Sequence, residues 1–305
     1  MKKKKKINWK RTIPFYIMML PGIMYLMINN YIPMFGIVIA FKKLNFRKGI
    51  FGSDWCGLEN FEYLFSSSDA WTITRNTIGY NLANIVLGTV FAMAMAIMLN
   101  EITSRRRSKF YQTMVLLPYL MSWVVVGYIC YAFLSSESGM VNGILAKFGL
   151  EPVSWYNEKK YWPFLIIFFN LWKGIGYSMI VYFAGIVGIS ADYYEAAVLD
   201  GATKWQQIKN ITVPLMKPTI ITMLILGLGN VMRSDFGLFY QLPRNSGALY
   251  SVTRTLDVYV YNALMKNNDF GMSSAASFYQ AIVGFILIIT ANKLVRRYSE
   301  ENALF

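Results

Sequence analysis

Six long apolar runs, at residues 13–41, 76–100, 110–134, 163–189, 218–232 and 275–292, divide this chain into spans and connecting segments. A helix needs about 20 mainly apolar residues to cross roughly 30 Å of hydrocarbon. The fifth run is the shortest of the six and stops at Arg233, so irregular structure is expected to follow it. The pattern predicts an all-α membrane protein with six transmembrane helices. A basic tail occupies 1–12, the six-span body 13–292 and a short tail 293–305, while a polar island, 190–217, separates the fourth and fifth runs.

Composition supports the bilayer as solvent. With 55% hydrophobic, 16% aromatic and only 15% charged residues, the chain is too apolar for an ordinary soluble protein of 305 residues. The net charge of +14 is unevenly placed. Lys2 to Lys6, Lys10, Arg11, Arg105 to Arg107, Lys109, Lys204, Lys209, Lys217, Lys293, Arg296 and Arg297 all fall on one side of the span pattern. Segments on the other side, 42–75, 135–162 and 233–274, carry fewer cations over a greater length and offset them with acids. That is the positive-inside distribution, and it predicts cytoplasmic termini and a cytoplasmic island in a plasma-membrane protein. Because the cations sit beside spans instead of forming one stripe, nucleic acid is not an expected partner. The lysine-rich start resembles a secretory signal, but its apolar run is long, contains Pro14, Pro21 and Pro33, and lacks a small-x-small cleavage site. It reads as an uncleaved first span whose lysines lie near anionic lipid heads.

The catalytic menu is short. There is no histidine, which excludes His-based zinc sites and Ser-His or Cys-His nucleophiles. Cys56 and Cys130, the only cysteines, fall in an outer segment and the third span, so neither a bridge nor a metal site is expected. No P-loop run occurs, so no cofactor is expected on this chain, and energy coupling must come from a partner. A membrane-embedded enzyme would need acids or histidines within its spans, and a stand-alone secondary transporter would need inverted repeats or ion-binding carboxylates there. The spans offer none of these.

The island has its own local logic. Ser190 can cap a short helix whose first turn holds Asp192 and Glu195, and Gly201 supplies a left-handed stop. Thr203 and Gln206 have capping-box spacing and start a second short helix, with Trp205 and Ile208 on one face. Pro214 and Pro218 bound the return to the membrane. From these residues alone, an ordinary inter-span loop anchored by Trp205 at the interface and a docking element are both open readings.

Glu195-Ala196-Ala197, three residues, Gly201, nine residues and Ile211-Thr212-Val213-Pro214 together resemble the EAA signature of permease subunits in binding-protein-dependent ABC importers. That signature runs EAA-x3-G-x9-I-x-L-P, and the one departure is Val213 in the leucine position. Similar likeness to the LplB-type oligosaccharide permeases, which include importers of alginate and rhamnogalacturonan fragments, is carried by Gly52 to Trp55, Gly57 to Phe61, Asp235 to Tyr240, Thr255 to Tyr261 and Glu301 to Phe305. The resemblance implies a type I ABC importer permease fold with cytoplasmic EAA coupling helices. It also implies a second permease subunit in a heterodimer, a homodimeric cytoplasmic ATPase that holds the ATP and Mg, and an extracellular sugar-binding lipoprotein that delivers an oligosaccharide. In such an assembly the EAA helix seats in a cleft on the ATPase. Glu195 would contact a basic ATPase residue, Ala196 and Ala197 would let backbones approach, and Gly201 would set the turn. Ile211 and Pro214 complete the signature, with Trp205 and Ile208 packing the coupling helices.

Substrate-path candidates come from polar residues within apolar runs. Lys173 lies about ten residues into span four, near 15 Å at about 1.5 Å per residue, too deep to reach the interface easily. Trp172 and Tyr177 flank it and could stack on sugar faces; the structural alternatives are a Lys173 bonded to helix carbonyls or to the partner permease, and aromatics that simply pack. Asn170, Asn230 and Gln280 are further candidates, although such residues more often make an interhelical hydrogen bond than a ligand contact.

Overall fold

Two prolines set the helix geometry at equivalent offsets. The first helix, α1 (Trp9–Leu26), runs through a π-turn at Met27–Tyr31 and on to a 3-10 segment, Phe35–Phe41. Pro33 has no N–H and its ring crowds the carbonyl four residues back, so the chain widens by one residue just before it, with Ile32 N–H reaching Met27 O. The computed structural model describes residues 9–66 and 68–298, so most of the basic start and the terminal Glu301 to Phe305 match lie outside the described residues. Helix dominates. Four helical stretches, Thr12–Phe41, Asp69–Asn100, Lys159–Val187 and Phe270–Arg297, are each long and apolar enough to span a membrane.

The remaining two expected spans each involve a bend. In span three Arg105–Leu120 is followed by Trp123–Leu134 at 93°, and span five, Lys217–Gly229, follows Lys204–Leu215 of the island at 56°. A straight helix over 110–134 is therefore corrected: Pro118 removes a donor, Met121 and Ser122 turn extended, and Ser122 Oγ caps the new helix by accepting Val125 N–H at 3.3 Å. The fifth helix stops at Gly229, three residues short of the expected end, and irregular backbone follows.

Among the described residues, those up to 66 form one compact unit with Ala263–Phe278, and Ser68–Asn262 form another with those from Tyr279 onward. In the first unit, strands β1 (Lys42–Lys43) and β2 (Asp54–Trp55) pair antiparallel ahead of helix α2 (Glu59–Ser66). Asn60 donates to Ala40 O and Lys42 O, while Phe41, Phe61 and Phe278 pack ring to ring at 5.3–5.9 Å. Buried Lys42 reaches Ile50 O and Phe51 O.

The second unit is built on α3 (Asp69–Asn100), α4 (Arg105–Leu120), α5 (Trp123–Leu134), α6 (Met140–Lys147) and α7 (Trp162–Val187). It continues through α8 (Ala191–Leu199), α9 (Lys204–Gln207), α10 (Lys217–Gly229), α11 (Phe236–Gln241) and α12 (Leu256–Met265) to α13 (Phe270–Tyr298), the last two of which also contribute residues to the first unit. Helices α3 and α7 form the most extensive pair, with α4 packed on α7. Gly176 makes the α4 contact possible, because a Cβ there would sit 2.3 Å from Val115 O. One core, at the island end, gathers Ala92, Met93, Ala96, Met179, Tyr182 and Met216. Another, at the far end, gathers Val126, Cys130, Trp162, Ile166, Leu238 and Phe239. Large apolar side chains cover the outside, Met18 being 78% exposed, as expected of a body solvated by lipid.

Candidate functional site

The island folds as two short helices joined by a tight reversal. Ser190 Oγ accepts Asp192 N–H at 3.3 Å and starts α8. Asp192 lies in the first turn, but Glu195 falls one residue beyond it, because the helix begins at Ala191; this corrects the expected placement. At the other end Ala202 N–H reaches Ala197 O at 2.8 Å and Gly201 N–H reaches Val198 O at 3.0 Å, with Gly201 at φ +76°. This is a Schellman stop, and it explains the Ala-x3-Gly spacing: Ala197 supplies the acceptor carbonyl and Gly201 the left-handed residue. Buried Gln207 closes the reversal by donating to Ala202 O.

A capping box then starts α9. Gln206 N–H reaches Thr203 Oγ1 at 3.4 Å, and Gln206 Oε1 accepts Thr203 N–H at 2.7 Å. Helix α9 passes into a π-turn at Ile208–Thr212, two residues before Pro214, the same device as at Pro33. Tyr194 OH lies 2.9 Å from Thr212 Oγ1 and ties the two halves together, and Lys204 pairs with Glu101 at the end of α3. Glu195 and Ala196 are exposed, and Ala197, Ile211 and Pro214 are half-buried. Ile208 lines an apolar groove with Val213 and Ile220, at whose edge Trp205 stands 71% exposed. Tyr193, Val198 and Leu199, the last 88% exposed, add apolar surface that the motif spacing did not reveal.

The path candidates separate. Lys173 Nζ donates to Tyr119 O at 3.1 Å and lies 5.0 Å over the Trp123 ring. In an unbroken third span that carbonyl would accept Trp123 N–H; the bend removes the donor and Lys173 replaces it. Tyr177 stacks on Tyr119 at 5.1 Å, while Trp172 packs edge-on against Phe169. Asn170 is half-buried on α7, and Asn230 caps its own helix through Leu226 O. Gln280 lies apart, bonded to Met232 O and Asp257. A separate cavity of about 220 Å³ between α3, α7 and α10 has Ile85, Met223 and Leu226 in its walls beside Asn84, Thr89, Ser178 and Tyr182. There, buried Asn84 Oδ1 has no hydrogen-bond partner among the described residues.

The model of one protein family, described as the binding-protein-dependent transport system inner membrane component, matches residues 84–300. The chain belongs to that family. It is a multi-pass membrane protein, the permease subunit of a binding-protein-dependent ABC importer. It is 34% identical to the polygalacturonan/rhamnogalacturonan transport system permease protein YteP of Bacillus subtilis (strain 168), over 94% of this chain and 88% of the relative. Protein LplB of the same strain is 28% identical over 97% and 94%. A solved bacterial alginate ABC transporter, in complex with an alginate pentasaccharide-bound periplasmic protein, superposes on 96% of this chain and 97% of its own with a TM-score of 0.86 and 31% identity.

The permease also owes its far-end architecture to motifs whose chemistry the sequence left open. At about 1.5 Å per residue, the 32 residues of α3 extend roughly 48 Å, well beyond a bilayer's hydrocarbon. Its first turns serve the backbone of 231–256: Asn76 donates to Arg254 O, Asn81 to Val231 O, and Tyr80 OH to Val252 O. Thr77 Oγ1 accepts Leu256 N–H, and Arg254 pairs with Asp69. Asp257 accepts Ser234 N–H and Oγ, each at 2.7 Å, and Gln280 Nε2 at 3.2 Å. Asp235 caps α11 through Leu238 N–H and accepts Trp123 Nε1 at 2.6 Å, so the bend in span three, Lys173 and the Asp235 segment form one connected structure.

Proposed function

We propose that this permease, with a second permease subunit and a cytoplasmic ATPase dimer, translocates an oligosaccharide delivered by an extracellular binding lipoprotein. The 190–217 loop is the ATPase dock. The observation that carries this reading is the island itself: a locally capped, rigid helix pair whose outward surface combines Glu195 with Tyr193, Val198 and Leu199. Such exposed apolar area on a segment outside the spans calls for a protein partner. ATP and Mg belong to that partner, and this chain contributes no catalytic group. In this arrangement both termini and the island face the cytoplasm, in line with the cation distribution.

Closure of the ATPase dimer moves the docked loop as a unit, and the spans rock between inward-open and outward-open states. The oligosaccharide substrate is supported by the relatives, one named for polygalacturonan/rhamnogalacturonan transport and one an alginate transporter in complex with an alginate pentasaccharide-bound periplasmic protein. Lys173 acts as a positioning residue at the span-three bend, with Tyr177 stacked on the Tyr119 whose carbonyl it holds, while Asn170 and Trp172 lie on the same helix and Asn230 at the end of α10. Gln280 ties span six to the far end. The cavity at Asn84 and Ser178, apolar on its Ile85, Met223 and Leu226 walls, is a further point where hydroxyl-rich cargo can find a few hydrogen bonds during transit.

The test is ATP hydrolysis in liposomes by the permease co-purified with its second permease and ATPase. Stimulation is expected only with sugar-loaded binding protein. A well-folded chain that never co-purifies with an ATPase would overturn the docking role.

A further inference from the structure

A cleft at the island end of α3 and α4 has the chemistry of a lipid seat. It encloses about 370 Å³, with Met95, Met98 and Leu99 on α3 facing Arg107, Tyr111 and Val115 on α4. Arg107, Tyr111 and Val115 are spaced by four residues along one helix face, so a polar mouth leads into an apolar interior. Alkyl and thioether walls give water few partners. An alkyl chain suits the space, and methionines adapt to its shape.

The mouth carries Arg107; Arg105, Arg106 and Lys109 stand near it at the start of α4, and the stretch 102–136 contains no acid. Glu101, the nearest carboxylate in sequence, is held by Lys204 at 3.1 Å. Among the described residues, these three arginines and Lys109 have no carboxylate partner. The cleft lies where α3 ends at Asn100 and α4 begins, the level at which spans leave the hydrocarbon and meet headgroups.

We infer that this cleft binds one anionic phospholipid, with an acyl chain between α3 and α4 and the phosphate on Arg107 and Tyr111. A lipid seated there bridges two spans beside the Glu101–Lys204 link to the island, which makes the permease sensitive to membrane charge.

The test is native mass spectrometry of the full chain, delipidated and then mixed with phosphatidylglycerol or phosphatidylcholine of identical acyl chains. Phosphatidylglycerol should be retained about tenfold more, and Arg107→Gln should reduce that retention about fivefold, the effect of one phosphate-facing cation. Met98→Trp, at a 61% exposed position that tolerates bulk, should fill the cleft and lower retention of both lipids with the thermal midpoint unchanged. Equal retention of the two lipids, or no effect of both variants, would overturn the proposal. So would a photo-crosslinker at Met98 that captures a polypeptide in native membranes, since the cleft would then belong to the second permease. None of these readouts requires the ATPase, so they stand or fall separately from the docking role.

Discussion

The island and the far end are both polar structures at the ends of the same long helices, and they are built in opposite ways. In the island, caps and stops come from residues within six positions of the groups they serve: Ser190 to Asp192, Gly201 to Val198, Thr203 to Gln206. At the far end the partners come from separate segments of the chain, 150 or more residues apart for Asn81 to Val231 and Thr77 to Leu256 and 23 apart for Asp257 to Ser234 and to Gln280. Local capping gives a rigid element that can be displaced without unfolding the body. Long-range bonding fixes the body, so substitutions at the far end should lower stability, whereas substitutions in the island should change coupling.

The sharpest break of that comparison is Asp257→Ala. It strands Ser234 N–H and removes one of two partners from Ser234 Oγ, which keeps Thr255 Oγ1, and from Gln280 Nε2, which keeps Met232 O, so a cost of about 2–3 kcal/mol is expected in this part-buried site. Thermal unfolding in detergent should show the largest fall among these variants. An unchanged midpoint would mean that the far end is held by other groups. Lys173→Met comes next, at about 1–2 kcal/mol, because Tyr119 O loses its donor at the span-three bend. Oligosaccharide uptake should fall with the thermal midpoint, and Lys173→Gln, which keeps a donor, should recover part of both. Reduced uptake with an unchanged midpoint would instead put Lys173 on the substrate route.

The same contrast explains what the sequence could reveal. Six apolar runs and the cation asymmetry are readable because bilayer thickness and lipid charge act on composition, whatever the tertiary contacts. The island was readable because Ser190, Gly201, Thr203 and Gln206 act on their own neighbours, and only the frame of α8, which puts Glu195 beyond its first turn, differed. The bend at 121–122 was hidden: Pro118 is tolerated in many spans, and its consequence depends on Lys173, Trp123 and Asp235 meeting from three segments. Gln280 and Asp257 were equally opaque, since their pairing needs α13 beside the start of α12. Leu199 carried no periodic signal, and only its 88% exposure marks it as contact surface.

Gly201→Asp should have the smallest effect on stability and the largest on coupling. A side chain at φ +76° costs about 1 kcal/mol, at the low end because aspartate reaches the left-handed region more readily than most residues, and a Cβ there meets open space. Membrane insertion, co-purification of the second permease and the thermal midpoint should stay near those of the unsubstituted chain. Stimulation of ATP hydrolysis by loaded binding protein should disappear, because a strained stop re-aims α8 and with it Glu195 and Leu199. Gly201→Asn separates conformation from charge: asparagine tolerates the left-handed region better than most residues, so it should keep part of the stimulation. Full stimulation in the aspartate variant would show that the direction of α8 does not matter to the ATPase. The local stop would then serve only to return the chain to the membrane.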